Sequence, residues 1–309
     1  MEEELMSKFY TDVKSKIKFY IASKIWDRPN RLSKLDGWYS NFDTPIEKYF
    51  ASKILDKFIY YSYEDIIELC KYGIFQNVVK NKLIKKLELD IFIIENKQYE
   101  LEFKKQLSNI AFIPLADSGR PPESSNLIAQ ILRDELNIQE DHIFFPADIE
   151  VVIKSHKFSH ILIFDDIIGS GDQIYNFWNT IEFPFAGQNL TFRKISENNP
   201  TIDFEYLSLV ATQYGLENLN EPTFNVNGLK ISFVEQLTDE YRIFNKKSIF
   251  FNEEEAKTAK LVLENLCNVK GIKFKGHENL DYAVSFSHGT PDCSLPMFKV
   301  ETPTWNGLF

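Results

Sequence analysis

Two acids, Asp165 and Asp166, stand side by side in the stretch HILIFDDIIGSGDQ, residues 160–173. Adjacent carboxylates repel one another, so a fold gains no stability from placing them on an apolar strand. Their chemistry is that of paired acceptors, which take hydrogen bonds from vicinal hydroxyls and bind a hydrated Mg2+. Gly169, Ser170 and Gly171 follow, with backbone freedom and N–H groups just ahead of a helical segment. A nest of that kind at a helix N-terminus is a phosphate site. Two hydroxyl acceptors beside one phosphate cradle outline a ribose 5-phosphate. A bare DD pair is more often a strand end and helix cap. The ordered run of apolar strand, acid pair, Ile167-Ile168, Gly-Ser-Gly and helix argues for the site.

Such a site needs a parallel strand to carry the acids to the carboxyl edge of a sheet, where α/β folds bind ligands. The pattern supplies one. From about residue 108, NIAFIPLA reads as a short buried strand, SSNLIAQILRDELN as an amphipathic helix, and HILIF as a second buried strand ending at the acids. DQIYNFWNTIEF reads as a helix, EYLSLVATQYG as a strand and turn, and KISFVEQL as a further strand. Strands alternating with helices predict a parallel sheet flanked by helices.

Residues 1–107 read as a helical region. Thr44, Pro45 and Glu47 fit an N-cap, a first-turn proline and a capping-box glutamate, and an apolar stripe runs through Ile46, Phe50, Ile54, Phe58 and Ile59. A second helix is expected near Tyr63 and a third helical region over NVVKNKLIKKLELDIFII. The expected division is therefore a helical region over 1–107, an α/β core over 108–239, and an α+β extension over 240–309 packed on the core. In that extension EEEAKTAKLVLENL reads as a helix and YAVSFSH as a strand. HGTPDCSLP is a strand end running into a proline-punctuated loop, with Trp305 and Phe309 as anchors for the tail.

The chain has 309 residues and a formal net charge of −10, with 44% hydrophobic and 15% aromatic residues. An acidic chain is unsuited to broad, non-specific adhesion to nucleic acid, which needs clustered Lys and Arg. No apolar run is long enough to cross a bilayer. The acidic MEEELMSKFY lacks the shape of a signal peptide. Three scattered cysteines, Cys70, Cys267 and Cys293, form neither a disulfide framework nor a metal pair. Together these predict a cytoplasmic protein. His156 and His160 lie four apart, but His160 opens a strand, so a zinc site is not expected.

The DD loop resembles the signature of type I phosphoribosyltransferases. Beyond it, DSG…LRDEL, IFDDIIGSGDQI, YGLENL, EQLTDEYRIF and HGTPDCSLP…W…LF occur in an order similar to that of the PRTase-CE family of bacterial conflict systems. The resemblance implies a type I phosphoribosyltransferase-like α/β core and a role as an antiviral defence effector, toxin-like, or as its regulator. It implies that Asp165 and Asp166 hold the ribose hydroxyls of phosphoribosyl pyrophosphate (PRPP) or a related nucleotide, with Mg2+. Ile168, Gly169, Ser170, Gly171, Asp172 and Gln173 would wrap the 5-phosphate. Asp172 departs from the family pattern, where a second glycine is common, and Gln173 stands where a threonine usually contacts phosphate. The loop Asp117, Ser118, Gly119 and Arg120 would take the pyrophosphate, with Arg120 as bidentate donor. His288, Thr290 and Asp292 form a possible hood at the crevice rim, a protein partner from the same defence system is implied, and the implied reaction is glycosyl transfer or hydrolysis at ribose C1. A non-catalytic nucleotide sensor and a partner-binding module are the alternatives.

Overall fold

A computed structural model describes residues 3–27, 31–87, 96–116 and 123–309. In chain order its elements are α1 (Glu3–Ala22), α2 (Arg31–Tyr39), α3 (Pro45–Asp56), β1 (Ile59–Tyr61) and α4 (Tyr63–Lys71). A π-helical turn (Tyr72–Lys80), α5 (Asn81–Leu87), α6 (Asn96–Ser108), β2 (Ile110–Pro114), α7 (Glu123–Asp134) and α8 (Ile149–Lys154) come next. The centre of the chain supplies β3 (His160–Ile168), α9 (Asp172–Asn179), β4 (Glu182–Phe185), β5 (Gln188–Thr191), α10 (Phe192–Asn198), β6 (Asp203–Thr212) and α11 (Gln213–Asn220). The last three are β7 (Lys230–Leu237), α12 (Glu253–Lys270) and β8 (Val284–Phe286).

The chain separates into two compact units, one of Met1–Ile66 with Leu237–Phe309 and one of Ile67–Gln236. This division differs from the consecutive one drawn at 107/108 and 239/240. The reason lies in the aromatic residues at the two chain ends, which share one core. The Trp38 and Trp305 indoles both donate to Met297 O, at 2.8 and 2.9 Å. Trp38 stacks on Phe298, and Phe58 and Tyr60 stack on Phe309. Asn41 and Asn306 exchange two hydrogen bonds. Fully buried indoles must place their N–H groups on acceptors, so these pairings fix the register of the tail. Trp305 and Phe309 are anchors, as expected.

In the same unit Thr44 caps α3, with the reciprocal Glu47 capping box in place. The helix stops at Asp56, earlier than its apolar stripe suggests. Residues 59–61 instead pair parallel with β8, Ile59 opposite Val284 and Tyr61 opposite Phe286. Three β-branched or aromatic residues in a row favour a strand once a partner is present.

The other unit holds the four-stranded sheet, in the order β2-β3-β6-β7, with β2, β3 and β6 parallel. β2 and β3 are almost wholly buried, as expected of strands covered on both faces. Apolar residues of α8, α9 and α10, including Ile149, Val152, Phe177, Trp178 and Ile195, pack with Ile161, Ile163 and Tyr206 of the sheet in one core. The fold is thus α/β, a parallel sheet flanked by helices. Two local expectations are corrected here. The end of DQIYNFWNTIEF leaves the helix and forms the β4–β5 hairpin, and residues 213–220 are helical where a turn was expected.

Candidate functional site

β3 runs through the acids to Ile168, so Asp165 and Asp166 lie within the strand and do not end it. Asp165 sits opposite Ser208 of β6, and pairing resumes at Ile167–Val210 and Ile168–Ala211. The sequence suggested an exposed mouth. Instead, Asp165 and Asp166 are only 2% and 8% exposed. The strand continues because Ile167 and Ile168 satisfy the β pattern and Ile168 drops into the core below the loop.

Among the described residues, the side-chain partners of Asp165 are the Ser124 and Ser125 hydroxyls, 3.4 and 3.3 Å from Oδ1, and its neighbour Asp166. Ser125 also donates to Leu115 O at 2.7 Å, which fixes the start of α7 to the end of β2. Burial, and then the charge of Asp166, hold the Asp165 carboxyl well above the usual carboxylate range. Tyr206 lies buried nearby, and burial raises its phenol as well. The charged form of Asp165 is therefore disfavoured, and among the described residues the side chains that donate to it are neutral hydroxyls.

The loop after it is rigid. Gly171 has φ +90°, a left-handed value that costs a side-chain-bearing residue strain. The Ser170 hydroxyl donates to Asp172 Oδ2 at 2.6 Å and accepts the Asp172 N–H at 3.3 Å. Asp172 opens α9, where a carboxylate is favoured by the helix dipole.

A third element holds the loop from the side. Thr212 Oγ1 caps α11 by accepting from Gly215 N at 2.9 Å, and its hydroxyl donates to Gly169 O. Asn218 Nδ2 donates to Ser170 O at 3.1 Å. A Cβ on Gly215 would lie 2.5 Å from Gly169 O, so only glycine lets α11 come this close to the loop. Ser124, Ser125, Thr212, Gly215 and Asn218 were not singled out from the sequence. Thr212-Gln-Tyr-Gly215 carries the N-cap signal, and Leu216 and Leu219 behind it supply a short apolar face.

The structure thus gathers Asp165, Asp166 and residues 168–173 at one edge of the sheet. Asp117, Ser118, Gly119 and Arg120 lie outside the described residues. His288, Thr290 and Asp292 belong to the other compact unit. There Thr290 Oγ1 shares a 2.8 Å hydrogen bond with Ser285 Oγ, His288 stacks on Phe286, and the exposed Asp292 pairs with Lys299. His160 is 1% exposed at the opposite edge of the sheet, facing Glu205.

An acid pair within the last residues of a parallel strand, a glycine-rich loop and a helix N-terminus fit a phosphoribosyltransferase-like α/β protein. The model of the PRTase-CE family matches residues 35–309, most of the chain, and the protein belongs to that family. Comparison with curated proteins gives no match. No helix among the described residues is long and apolar enough to cross a membrane.

Proposed function

We propose that the protein is an enzyme of bacterial anti-phage conflict that binds PRPP or a related ribose-phosphate nucleotide and acts at ribose C1. The observation that carries this is the buried Asp165–Asp166 pair, where the Ser124 and Ser125 hydroxyls and Asp166 are the partners of the Asp165 side chain among the described residues, beside a loop held in place by two helices. A fold tolerates such charge where a ligand compensates it, and two ribose hydroxyls or a cation do so. The donor set suits a divalent ion: Asp165 and Asp166 would hold Mg2+, which when bound would neutralise phosphate charge. Departure of the C1 substituent with its bonding electrons leaves an oxocarbenium-like sugar, which the carboxylates would stabilise electrostatically until water or an acceptor nucleophile forms the new bond at C1. The chain's own contribution is to orient the ribose through the acids and its 5-substituent through the 168–173 loop.

The reading is tested by titrating purified protein with PRPP and a panel of ribonucleotides in Mg2+, following products by mass spectrometry. Binding and C1 cleavage or transfer are expected. Absence of both binding and turnover overturns it. Binding without turnover moves the protein to the sensor reading. The defence role is tested separately by phage challenge of cells carrying wild type or Asp165→Asn/Asp166→Asn, where only the wild type is expected to alter survival.

A further inference from the structure

The unit that holds the acid pair also contains a cleft of about 730 Å3 that the proposed reaction does not use. Its walls come from the second half of α9 with the start of β4, the end of β5 with α10, and the turn at residues 222–225. None of residues 165–173 lines it. These walls are tied to one another. The Tyr175 ring stacks on Phe224 at 4.3 Å, and Asn179 Nδ2 donates to Tyr175 O and to Asn225 O at 3.3 and 3.2 Å. Asn179 Oδ1 in turn accepts from Arg193 Nη1 at 3.4 Å, while Arg193 Nε donates to Glu197 Oε1 at 3.0 Å. The guanidinium is thus held from two sides, and its other N–H groups remain for a ligand.

Beside Arg193, Lys194 is exposed and has no ion pair among the described residues. Thr191 lines the cleft and is only 8% exposed. Its oxygen accepts the Lys194 N–H at 3.3 Å, and its hydroxyl proton has no acceptor among the described residues. A guanidinium fork, an ammonium and a buried hydroxyl together are the donor set of a phosphate. The cleft also carries an acid to spare. Glu197 is taken by Arg193, but Glu182 is exposed and has no ion pair among the described residues. The β4–β5 register sets Glu182 directly opposite Thr191, so both side chains stand on one face of the hairpin. A free cation pair and a free carboxylate a few side chains apart ask for a ligand with charges of both signs. We propose that this cleft is a second ligand site, taking a small phosphomonoester that also bears an ammonium group. Its phosphate lies on Arg193, Lys194 and Thr191, and its ammonium group on Glu182.

The test is calorimetric titration at pH 7.5 with O-phosphoethanolamine, orthophosphate and ethanolamine, none of which carries a ribose. Wild type is expected to bind O-phosphoethanolamine about tenfold or more tightly than either other probe. Lys194→Gln, at an exposed position, is expected to weaken both phosphates by about fivefold or more, and Arg193→Gln/Lys194→Gln to abolish their binding. Glu182→Gln is expected to bring O-phosphoethanolamine and orthophosphate within about twofold of one another. Asp165→Asn/Asp166→Asn is expected to bind as wild type does. No binding of O-phosphoethanolamine by wild type, no preference for it over orthophosphate, or an affinity that Lys194→Gln leaves unchanged overturns the proposal. Loss of binding in Asp165→Asn/Asp166→Asn also overturns it, by placing the phosphate at the acid pair, and leaves the proposed ribose site standing.

Discussion

The sheet of residues 67–236 buries carboxylates at both of its ends, and treats them in opposite ways. At the amino edge, Glu205 of β6 is 1% exposed and one of its oxygens is served twice: Lys230 Nζ lies 2.6 Å away and the Ser232 hydroxyl donates to it at 2.5 Å. His160 Nε2 lies 3.3 Å from its other oxygen without the alignment of a hydrogen bond, and burial keeps that imidazole below its usual value. Burial pushes Glu205 upward too, but its partners outweigh it and bring the carboxyl down to about 2. At the carboxyl edge, Asp165 meets hydroxyls, a backbone amide and a second acid among the described residues, and burial drives it the other way. The same strands thus carry one acid with a cation beside it and, among the described residues, one whose partners are hydroxyls, an amide and another acid. On the proposed function, that difference separates a structural ion pair from a ligand site.

The largest expected effect separates the two ends by function. Asp165→Asn/Asp166→Asn should weaken ribonucleotide binding by about a hundredfold or more, the loss of two charge-assisted hydrogen bonds, as read by calorimetric titration. Glu205→Gln should leave that affinity within about twofold.

The next is the pH dependence of stability, where the two ends have opposite signs. Glu205 has a folded value below its unfolded one of 4.5, so its contribution is complete above pH 4.5 and is lost as pH falls toward 2. The shift corresponds to about 3 kcal/mol, absent in Glu205→Gln. Asp165 is raised above 3.8, so the folded state is favoured below that pH and penalised as pH rises through the folded value. In metal-free buffer, Asp165→Asn should therefore be more stable than wild type at pH 7, with the advantage vanishing below about pH 4. Denaturant unfolding across pH 3–8 reads both.

Smaller still, Lys230→Met should cost about 2 kcal/mol, less than a fully buried pair because Lys230 is half exposed. Gly215→Ala should cost about 1–3 kcal/mol and loosen nucleotide binding, because the new Cβ meets the Gly169 carbonyl. Asn218→Ala, which removes one hydrogen bond to the loop, should cost about 1 kcal/mol and leave the sheet intact.

How much of this was legible in the sequence follows from where each signal resides. Buried strands announce themselves by composition, so β2, β3 and β6 and their parallel pairing could be read from apolar runs alternating with helices. The DD-loop motif is contiguous, so its residues could be named. What escaped depends on partners distant in sequence. Strand β3 continues past its acids because β6 offers Val210 and Ala211 to pair with Ile167 and Ile168. Residues 59–61 are drawn from the end of a helix into a strand by β8, more than 200 residues later. The joining of residues 1–66 with 237–309 rests on two indoles sharing one carbonyl, which no local pattern reveals. Thr212, Gly215 and Asn218 had a capping signal, but their purpose appears only when α11 is set against the loop.

The most direct test of the account measures stability and binding in one experiment. Wild type and Asp165→Asn/Asp166→Asn are unfolded with urea at pH 7.5, first in EDTA and then with Mg2+ and PRPP or the best-binding ribonucleotide at a hundred times its dissociation constant. An acid pair kept for a ligand predicts that the double variant is the more stable protein in EDTA. It also predicts that only the wild type gains on ligand addition, by about 2.7 kcal/mol. A double variant that is less stable in EDTA, yet gains as much from the ligand, would contradict the account.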